Sequence, residues 1–306
     1  MQANHYLFRQ CPVCRNDAKF KLEVSSEKRA ENLSYEELTP YWNGFFKEKM
    51  FFSYARCGEC ELLFAPIFYR PDQLEALYGQ MPPNMDLVPI AALLKTQRGY
   101  FNELRKYSTL DNGYIEIGPD IGIFTVNCSK DGKFDNYWLC EPNKEVADAL
   151  AKSVGNNKFT IIEDMFGFST IPDQSASVAV MIQVLDHLLD PVATLSELKT
   201  KLLPDAKLLL VTHNEKSLLR KIVGWKWPAF CLQHPQIYNP HSITNLLEKS
   251  GYKVESIGRS TNYFQFSFLL KHLLWTFGIK VKLVPRILNF TIGLKLGNII
   301  TIATPK

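Results

Sequence analysis

The sequence lacks any run of about 18 consecutive apolar residues, which argues against a membrane-spanning helix. Its first residues, MQANHYLFRQCPVC, show no long apolar core behind a basic start, so no secretory leader is expected. No G-x-x-x-x-G-K-[ST] motif occurs, which speaks against a triphosphate-binding loop. Internal repeats and low-complexity segments are missing as well. Cysteine is scarce and odd in number, seven in 306 residues, so a disulfide framework is a poor reading. Four of the seven form two C-x-x-C pairs, which point instead to a metal site in a reducing compartment, and a cytoplasmic protein is expected.

What is present is ordinary globular composition, 46% apolar and 22% charged, enough for one large domain and a small module. The net charge of +4 is unevenly spread. Residues 253–306 hold eight Lys/Arg against the single acid Glu255, so the basic excess belongs to the tail. Residues 1–60 hold nine basic and eight acidic side chains and leave no electrostatic footprint for nucleic acid.

From about residue 110, short apolar runs alternate with helical patterns, which predicts a parallel sheet with crossover helices. The predicted strands are 113–117, 136–140, 159–162, 177–182, 207–212, 252–257 and 298–303. Asp190-Pro191 caps and starts one helix, since proline at the first helical position has no amide to waste. Another opens at Ser242 and ends at Gly251, a residue suited to a left-handed C-terminal position. An amphipathic helix over 87–107 is expected to cover a sheet edge. The first sixty or so residues read as a separate unit, too few to bury much core, so a metal staple would help them fold. The expected division is a module over 1–82 and a main domain over 83–306, with a basic apolar insert at about 262–296.

The stretch YIEIGPDIGIFT, residues 114–125, runs a strand into a turn flanked by Gly118 and Gly122. Missing side chains let the backbone approach a ligand, and the next helix offers free amides; a plain strand–helix turn is the alternative. Glu141, in YWLCEPN, comes 25 residues after Glu116 at the next strand end and can accept hydrogen bonds from both hydroxyls of a ribose. Asp164, in IIEDMF, ends the third strand, where a carboxylate can meet an adenine amino group; adjacent Glu163 could substitute. Three strand-end acids and no lysine in the loop suit a ligand with a sugar, an adenine and a positive centre but no phosphate.

EIGPDIG resembles the first motif of the class I S-adenosylmethionine-dependent methyltransferases. CEPN, DQSASVAVMIQVLDHLLDP and LLPDAKLLLVTHN are similar, in order and spacing, to the later motifs of that family, over roughly 90–260. The resemblance implies an α/β fold with a seven-stranded Rossmann-like methyltransferase sheet, and S-adenosylmethionine as cofactor. It also implies that Glu116, Gly118 and Gly122 shape the pocket for the methionine part, that Glu141 holds the ribose and Asp164 the adenine, and that Gln183 lines the sulfonium side. Three positions depart from the family pattern: Asp120 replaces the middle glycine, Ser177 an aspartate, and Ala206 a turn glycine. An extra carboxylate at Asp120 would suit a cationic cofactor, while its Cβ narrows the loop. A methyl on positive sulfur needs chiefly positioning and desolvation, with a base where the acceptor is a poor nucleophile.

CPVC (Cys11, Cys14) and CGEC (Cys57, Cys60) are two knuckles, each able to give two thiolates to one tetrahedral zinc; a redox pair and unligated thiols are the alternatives. Four thiolates leave no open position, so this zinc would be structural. The pattern C-P-x-C, a long insert, YARCGECELLFAPIF and LYGQM resembles the zinc-binding N-terminal domain of certain methyltransferases. That group includes enzymes that C-methylate nucleotide-linked deoxysugars and relatives from polysaccharide or natural-product pathways. Cys128, Cys140 and Cys231 have no spacing partner and read as buried hydrophobes.

His187, in VLDHLLDP, follows the fourth strand and could deprotonate a hydroxyl; the alternative is a residue that shapes a helix start. His234, Tyr238 and His241, in CLQHPQIYNPHS, follow the fifth strand, where acceptor-binding segments lie in this fold. The sugar C-methyltransferases carry a Tyr-x-Glu-His-like cluster there, matched here by Cys231-Leu232-Gln233-His234. Only the histidine remains, and Gln233 cannot take a proton as glutamate would. O-methylation with His234 or His187 as base stays open, and His213 reads as structural. The tail segment YFQFSFLLKHLLWTFGIKVKLVPRILNF is apolar and basic. It reads as a wall for an anionic acceptor such as a sugar diphosphate, as a contact with an acidic membrane surface, or as a helical insert with solvated lysines. The expected function is methyl transfer from S-adenosylmethionine to a small-molecule or sugar acceptor, nucleotide- or lipid-linked forms included. A methyltransferase-shaped binding module without turnover is the alternative, and an RNA methyltransferase the less favoured one.

Overall fold

Runs in which neighbouring residues are both apolar need cover on both faces of a sheet. The computed structural model, which describes residues 6–15, 20–42, 49–79, 89–164, 166–276, 279 and 288–306, turns these runs into a seven-stranded sheet. Its strands are β1 (Asp111–Ile117), β2 (Lys133–Cys140), β3 (Phe159–Ile162), β4 (Ala176–Ile182), β5 (Leu202–His213), β6 (Tyr252–Arg259) and β7 (Asn298–Pro305). They pair in the order β6-β7-β5-β4-β1-β2-β3. Strands β1 to β5 run parallel, and β7 runs antiparallel to both β5 and β6. This is the Rossmann-like methyltransferase sheet that the motifs imply. Strand β5 starts before the predicted 207, because its pairing with β4 shifts register between Leu202 and Lys207 and so passes Pro204 and Asp205.

Alternation along the strands builds two cores. Val178, Val180, Leu209 and Val211 join Tyr100, Phe101 and Phe124 on one face. Ala179, Met181, Leu208 and Leu210 join Leu195, Leu198, Ile243 and Leu246 on the other. The helix predicted over 87–107 is present as Ile90–Leu104, but it lies on the first face rather than at an edge. That face is apolar and needs the cover of Tyr100 and Phe101. The helix predicted from Ser242 starts earlier, at Pro240: Asn239 is its cap, accepting from the amides of His241 and Ser242. Gly251 follows it with a φ of +80°, the left-handed stop that was expected. Asp190 caps Pro191–Lys201 by accepting from the Ala193 amide at 3.1 Å.

The N-terminal segment folds around short strands, Phe20–Val24, Tyr54–Cys57 and Leu63–Phe64, and a fourth strand, Gln236–Ile237, completes their sheet from far along the chain. Its aromatic core, with Phe51, Phe52, Tyr54 and Tyr69, takes in Trp227, Phe230 and Ile237. Arg56 adds a charged tie: its guanidinium reaches Glu215 at 2.9 Å and Glu23 at 2.5 Å. In the basic tail, strands Asn262–Gln265 and Thr291–Leu294 pair antiparallel and helix Phe266–Thr276 follows the first. Lys280, Lys282 and Arg286, like the expected boundary at 82/83, lie outside the described residues. Among the described residues, no helix is long and apolar enough to cross a membrane.

Candidate functional site

Parallel strands put their carboxyl ends on one edge, where open α/β sheets hold ligands. At that edge four residues take left-handed backbone: Gly118 (φ +65°), Asp120 (+50°) and Gly122 (+74°) after β1, and Gln183 (+58°) after β4. A Cβ on Gly118 would lie 2.7 Å from Val184 Cγ2, and one on Gly122 2.4 Å from Ser153 Oγ, so both glycines are required. Asp120 and Gln183 carry side chains in a conformation that disfavours them, and such strain concentrates at functional sites.

The acids surround this loop in different ways. Glu116 lies beneath it, accepting from Tyr114 Oη at 2.5 Å and Thr125 Oγ1 at 2.6 Å. Burial lifts its carboxyl to about 7 against the pull of those two hydroxyls. Glu141, at the end of β2, is buried and faces the loop: it accepts from the amides of Asp120 and Asn143, each at 3.0 Å. Burial holds its carboxyl above the usual range. A carboxylate offers about four acceptor sites, so two amides leave room for sugar hydroxyls. Asp164 is exposed beyond β3 and accepts from the Phe166 amide at 2.9 Å. Its alternative, Glu163, is ion-paired with Lys144 at 2.7 Å. Gln183 donates its main-chain amide to Val211, and both atoms of its side-chain amide are buried without a partner.

Beside Gln183 the chain gathers three histidines. The rings of His187 and His234 are 4.7 Å apart, and those of His213 and His234 4.9 Å. His187 Nδ1 is 2.9 Å from the phenol of Tyr78, on the N-terminal helix Pro71–Tyr78. His213, the last residue of β5, places Nδ1 2.8 Å from Asp186 Oδ2. His234 Nδ1 lies 2.7 Å from the Ala229 carbonyl and 3.4 Å from Cys231 Sγ. Burial opposes charge on His234, but Cys231 and Asp186 outweigh it and raise its pKa to about 9. The same contact makes Cys231 more acidic than a free thiol although burial opposes its ionisation, so it is more than the buried hydrophobe expected. Tyr238 is fully buried in the core, and His241 is exposed on its helix, away from the cluster. Gln233 donates to the Trp42 carbonyl at 3.0 Å, a bond a carboxylate could not make, which explains the amide at that position.

The sequence reading missed Tyr78, Asp186 and His213 as members of this cluster. Asp186 stands next to His187 in VLDHLLDP and Tyr78 lies in the quoted LYGQM, so both were in view without a reason to join them. At the base of the N-terminal segment, the sulfurs of Cys11, Cys14, Cys57 and Cys60 all lie within 4.8 Å of one another. Cys11 and Cys60 are 3.4 Å apart and Cys14 and Cys57 3.3 Å, too far for disulfides. The two knuckles close alike: Arg15 donates to the Cys11 carbonyl and Glu61 to that of Cys57, each in left-handed backbone.

A protein-family model described as a methyltransferase domain matches residues 94–257, more than half of the chain. The chain belongs to the methyltransferase-domain family. With its seven-stranded sheet it is a class I, S-adenosylmethionine-dependent member. The match spans the glycine loop, Glu141, Asp164, Gln183 and all three clustered histidines. A search of curated proteins found no match to this methyltransferase. Among solved structures it is similar to a SAM-dependent methyltransferase from Leishmania major, with 13% identity, 88% of this chain and 82% of that one covered, and a TM-score of 0.47. It is similar to a SAM-dependent methyltransferase from Aquifex aeolicus, with 12% identity, coverage of 78% and 100%, and a TM-score of 0.46. It is also similar to the N,N-8-amino-8-demethyl-D-riboflavin dimethyltransferase RosA from Streptomyces davawensis, with 12% identity, coverage of 78% and 60%, and a TM-score of 0.47.

Proposed function

We propose that this methyltransferase binds S-adenosylmethionine at the carboxyl edge of β1, β2, β3 and β4 and methylates a small-molecule or sugar acceptor. One observation carries the reading: the side-chain amide of Gln183 is buried with neither atom paired, in left-handed backbone beside the glycine loop. An unmatched buried amide costs about 1–3 kcal/mol, and a ligand with donors and acceptors at that edge removes the cost. The donor set fits the same ligand. Glu141 offers acceptors for a ribose, Asp164 for an adenine amino group, and the loop brings acids rather than lysines toward a cation. When bound, the cofactor supplies a methyl group on a positively charged sulfur. The chain's own part is to hold it, exclude water and align an acceptor against the clustered histidines His187, His213 and His234.

The same reading takes Cys11, Cys14, Cys57 and Cys60 as ligands of a structural zinc. Zinc–thiolate bonds of about 2.3 Å set tetrahedral sulfurs roughly 3.8 Å apart, and the spread between 3.3 Å and 4.8 Å brackets that value. It also divides the chain into a zinc module over 1–82 and a methyltransferase domain over 83–306, with the basic insert at about 262–296. Titration calorimetry on the full chain tests the cofactor assignment. Saturable binding of S-adenosylmethionine and of S-adenosylhomocysteine is expected, and no binding of either at about 1 mM overturns it.

A further inference from the structure

The three clustered histidines differ in what occupies Nδ1, and that difference selects one of them. His213 Nδ1 faces Asp186 Oδ2 at 2.8 Å, and the main-chain amide of His213 donates to the same oxygen at 3.0 Å. Oδ2 already accepts from that amide, and as an acceptor toward Nδ1 too it places the ring proton there, which leaves Nε2 its lone pair. The Asp186 side chain is 0% exposed, and its other oxygen has no partner. The His213 side chain is 24% exposed, so the imidazole is within reach while its carboxylate is not. Its place is also right: His213 ends β5 two residues after Val211, whose carbonyl takes the amide of Gln183.

The other two rings are engaged differently. His187 Nδ1 is taken up by the Tyr78 phenol at 2.9 Å, a neutral partner that cannot stabilise an imidazolium as a carboxylate does. Burial, with His234 and His213 nearby, holds His187 well below its usual range, which disfavours its taking up a proton. His234 gives Nδ1–H to the Ala229 carbonyl, and at a pKa of about 9 its other nitrogen is protonated at neutral pH. His213 is held below its usual range, chiefly by burial, against the pull of Asp186.

We propose that His213 is the base that removes the acceptor's proton, that Asp186 is its positioning residue, and that the methylated group is a hydroxyl. The inference rests on the methyl-transfer reading above. The electron pair of the acceptor oxygen forms the new bond to the methyl carbon, and the carbon–sulfur pair stays on sulfur. The hydroxyl proton passes to Nε2 of His213, and the resulting imidazolium is stabilised by Asp186. The groups that tune this step come from each packed element: Asp186 and His187 from the turn after β4, His234 and Cys231 from the segment before Gln236–Ile237, and Tyr54 and Tyr78 from the N-terminal module.

Nitrogen NMR of the full chain, labelled at histidine and bound to S-adenosylhomocysteine, tests the assignment without an acceptor. At pH 7 the ring that disappears in His213→Gln is expected to be neutral with its proton on Nδ1, and Asp186→Asn should lower its titration midpoint. A proton on Nε2, or an imidazolium at pH 7, overturns the proposal. Transfer of radiolabelled methyl to nucleoside diphosphate hexoses gives the second readout. His213→Gln is expected to lose about 10²–10⁴-fold in kcat with KM little changed, and a rate within about threefold of the parent overturns the proposal. Calorimetry separates the two levels: His213→Gln should bind S-adenosylmethionine like the parent, whereas a parent that binds none sinks the methyl-transfer reading itself.

Discussion

The seven-stranded sheet and the N-terminal module hold together by different means. The sheet is covered chiefly by helices from its own stretch of chain, over one mainly aliphatic core and one that mixes aliphatic and aromatic side chains. The module has strands of two to five residues and an aromatic core that stays incomplete until Trp227, Phe230 and Ile237 enter it. A large domain meets its conformational entropy with buried area alone, whereas a small one needs cross-links or borrowed residues. Here the module borrows a strand from residues 236–237, and the proposed zinc at its four converging sulfurs would add a cross-link.

The contrast is sharpest at the cysteines. Removing the metal with a chelator, or one ligand by Cys57→Ser, should cost most, since structural zinc contributes on the order of 10 kcal/mol to such sites. Metal content and the near-ultraviolet dichroism of the aromatic core should fall together while the far-ultraviolet signal of the sheet persists. A Cys57→Ser protein that keeps its metal and melts like the parent contradicts the zinc assignment. Next comes Arg56→Ala. It leaves Glu215, whose side chain is 2% exposed, without its guanidinium, and about 3 kcal/mol should be lost in urea unfolding. A single shifted transition means that module and sheet unfold as one body; two separated transitions mean that they do not.

Within the sheet, Glu116 gives a pH dependence of comparable size. Its folded pKa of about 7 exceeds the ordinary carboxyl value of 4.5, so the native state holds a proton that the unfolded chain has released. Stability should therefore fall as pH rises from about 4.5 to about 7, by roughly 3 kcal/mol, and Glu116→Gln should flatten that slope. Parallel slopes in the two proteins would show that Glu116 is not the group responsible. The smallest effect should be Glu141→Ala. It is expected to weaken S-adenosylmethionine binding by about 1.5–3 kcal/mol in calorimetry while metal content stays constant; unchanged affinity removes Glu141 from the cradle.

Most of the sheet was legible because its strands are apolar runs bounded by turn residues. What failed was local. Pro204 and Asp205 hid the start of β5, because a register shift carries the strand past them. Asn239 takes the cap ahead of Pro240, so Ser242, which resembles a cap in sequence, serves as its reciprocal partner one turn later. Glu141 could be placed at the loop from its position at a strand end, since strand direction fixes where the next residue goes. The histidine cluster could not, because Tyr78, Asp186, His213 and His234 converge from four segments that no spacing rule connects. The thiol–imidazole contact of Cys231 and His234 was hidden for a different reason, since a lone cysteine carries no signal of its partner.

The strand Gln236–Ile237 has one more consequence. Because it lends a rung to the cysteine-bearing ladder while His234 stands two residues before it, exchanging the front portion of this chain for another protein's would leave that ladder short and unseat the histidine cluster. Hybrids meant to alter substrate preference should carry 223–237 along with the front portion, as a single transplant.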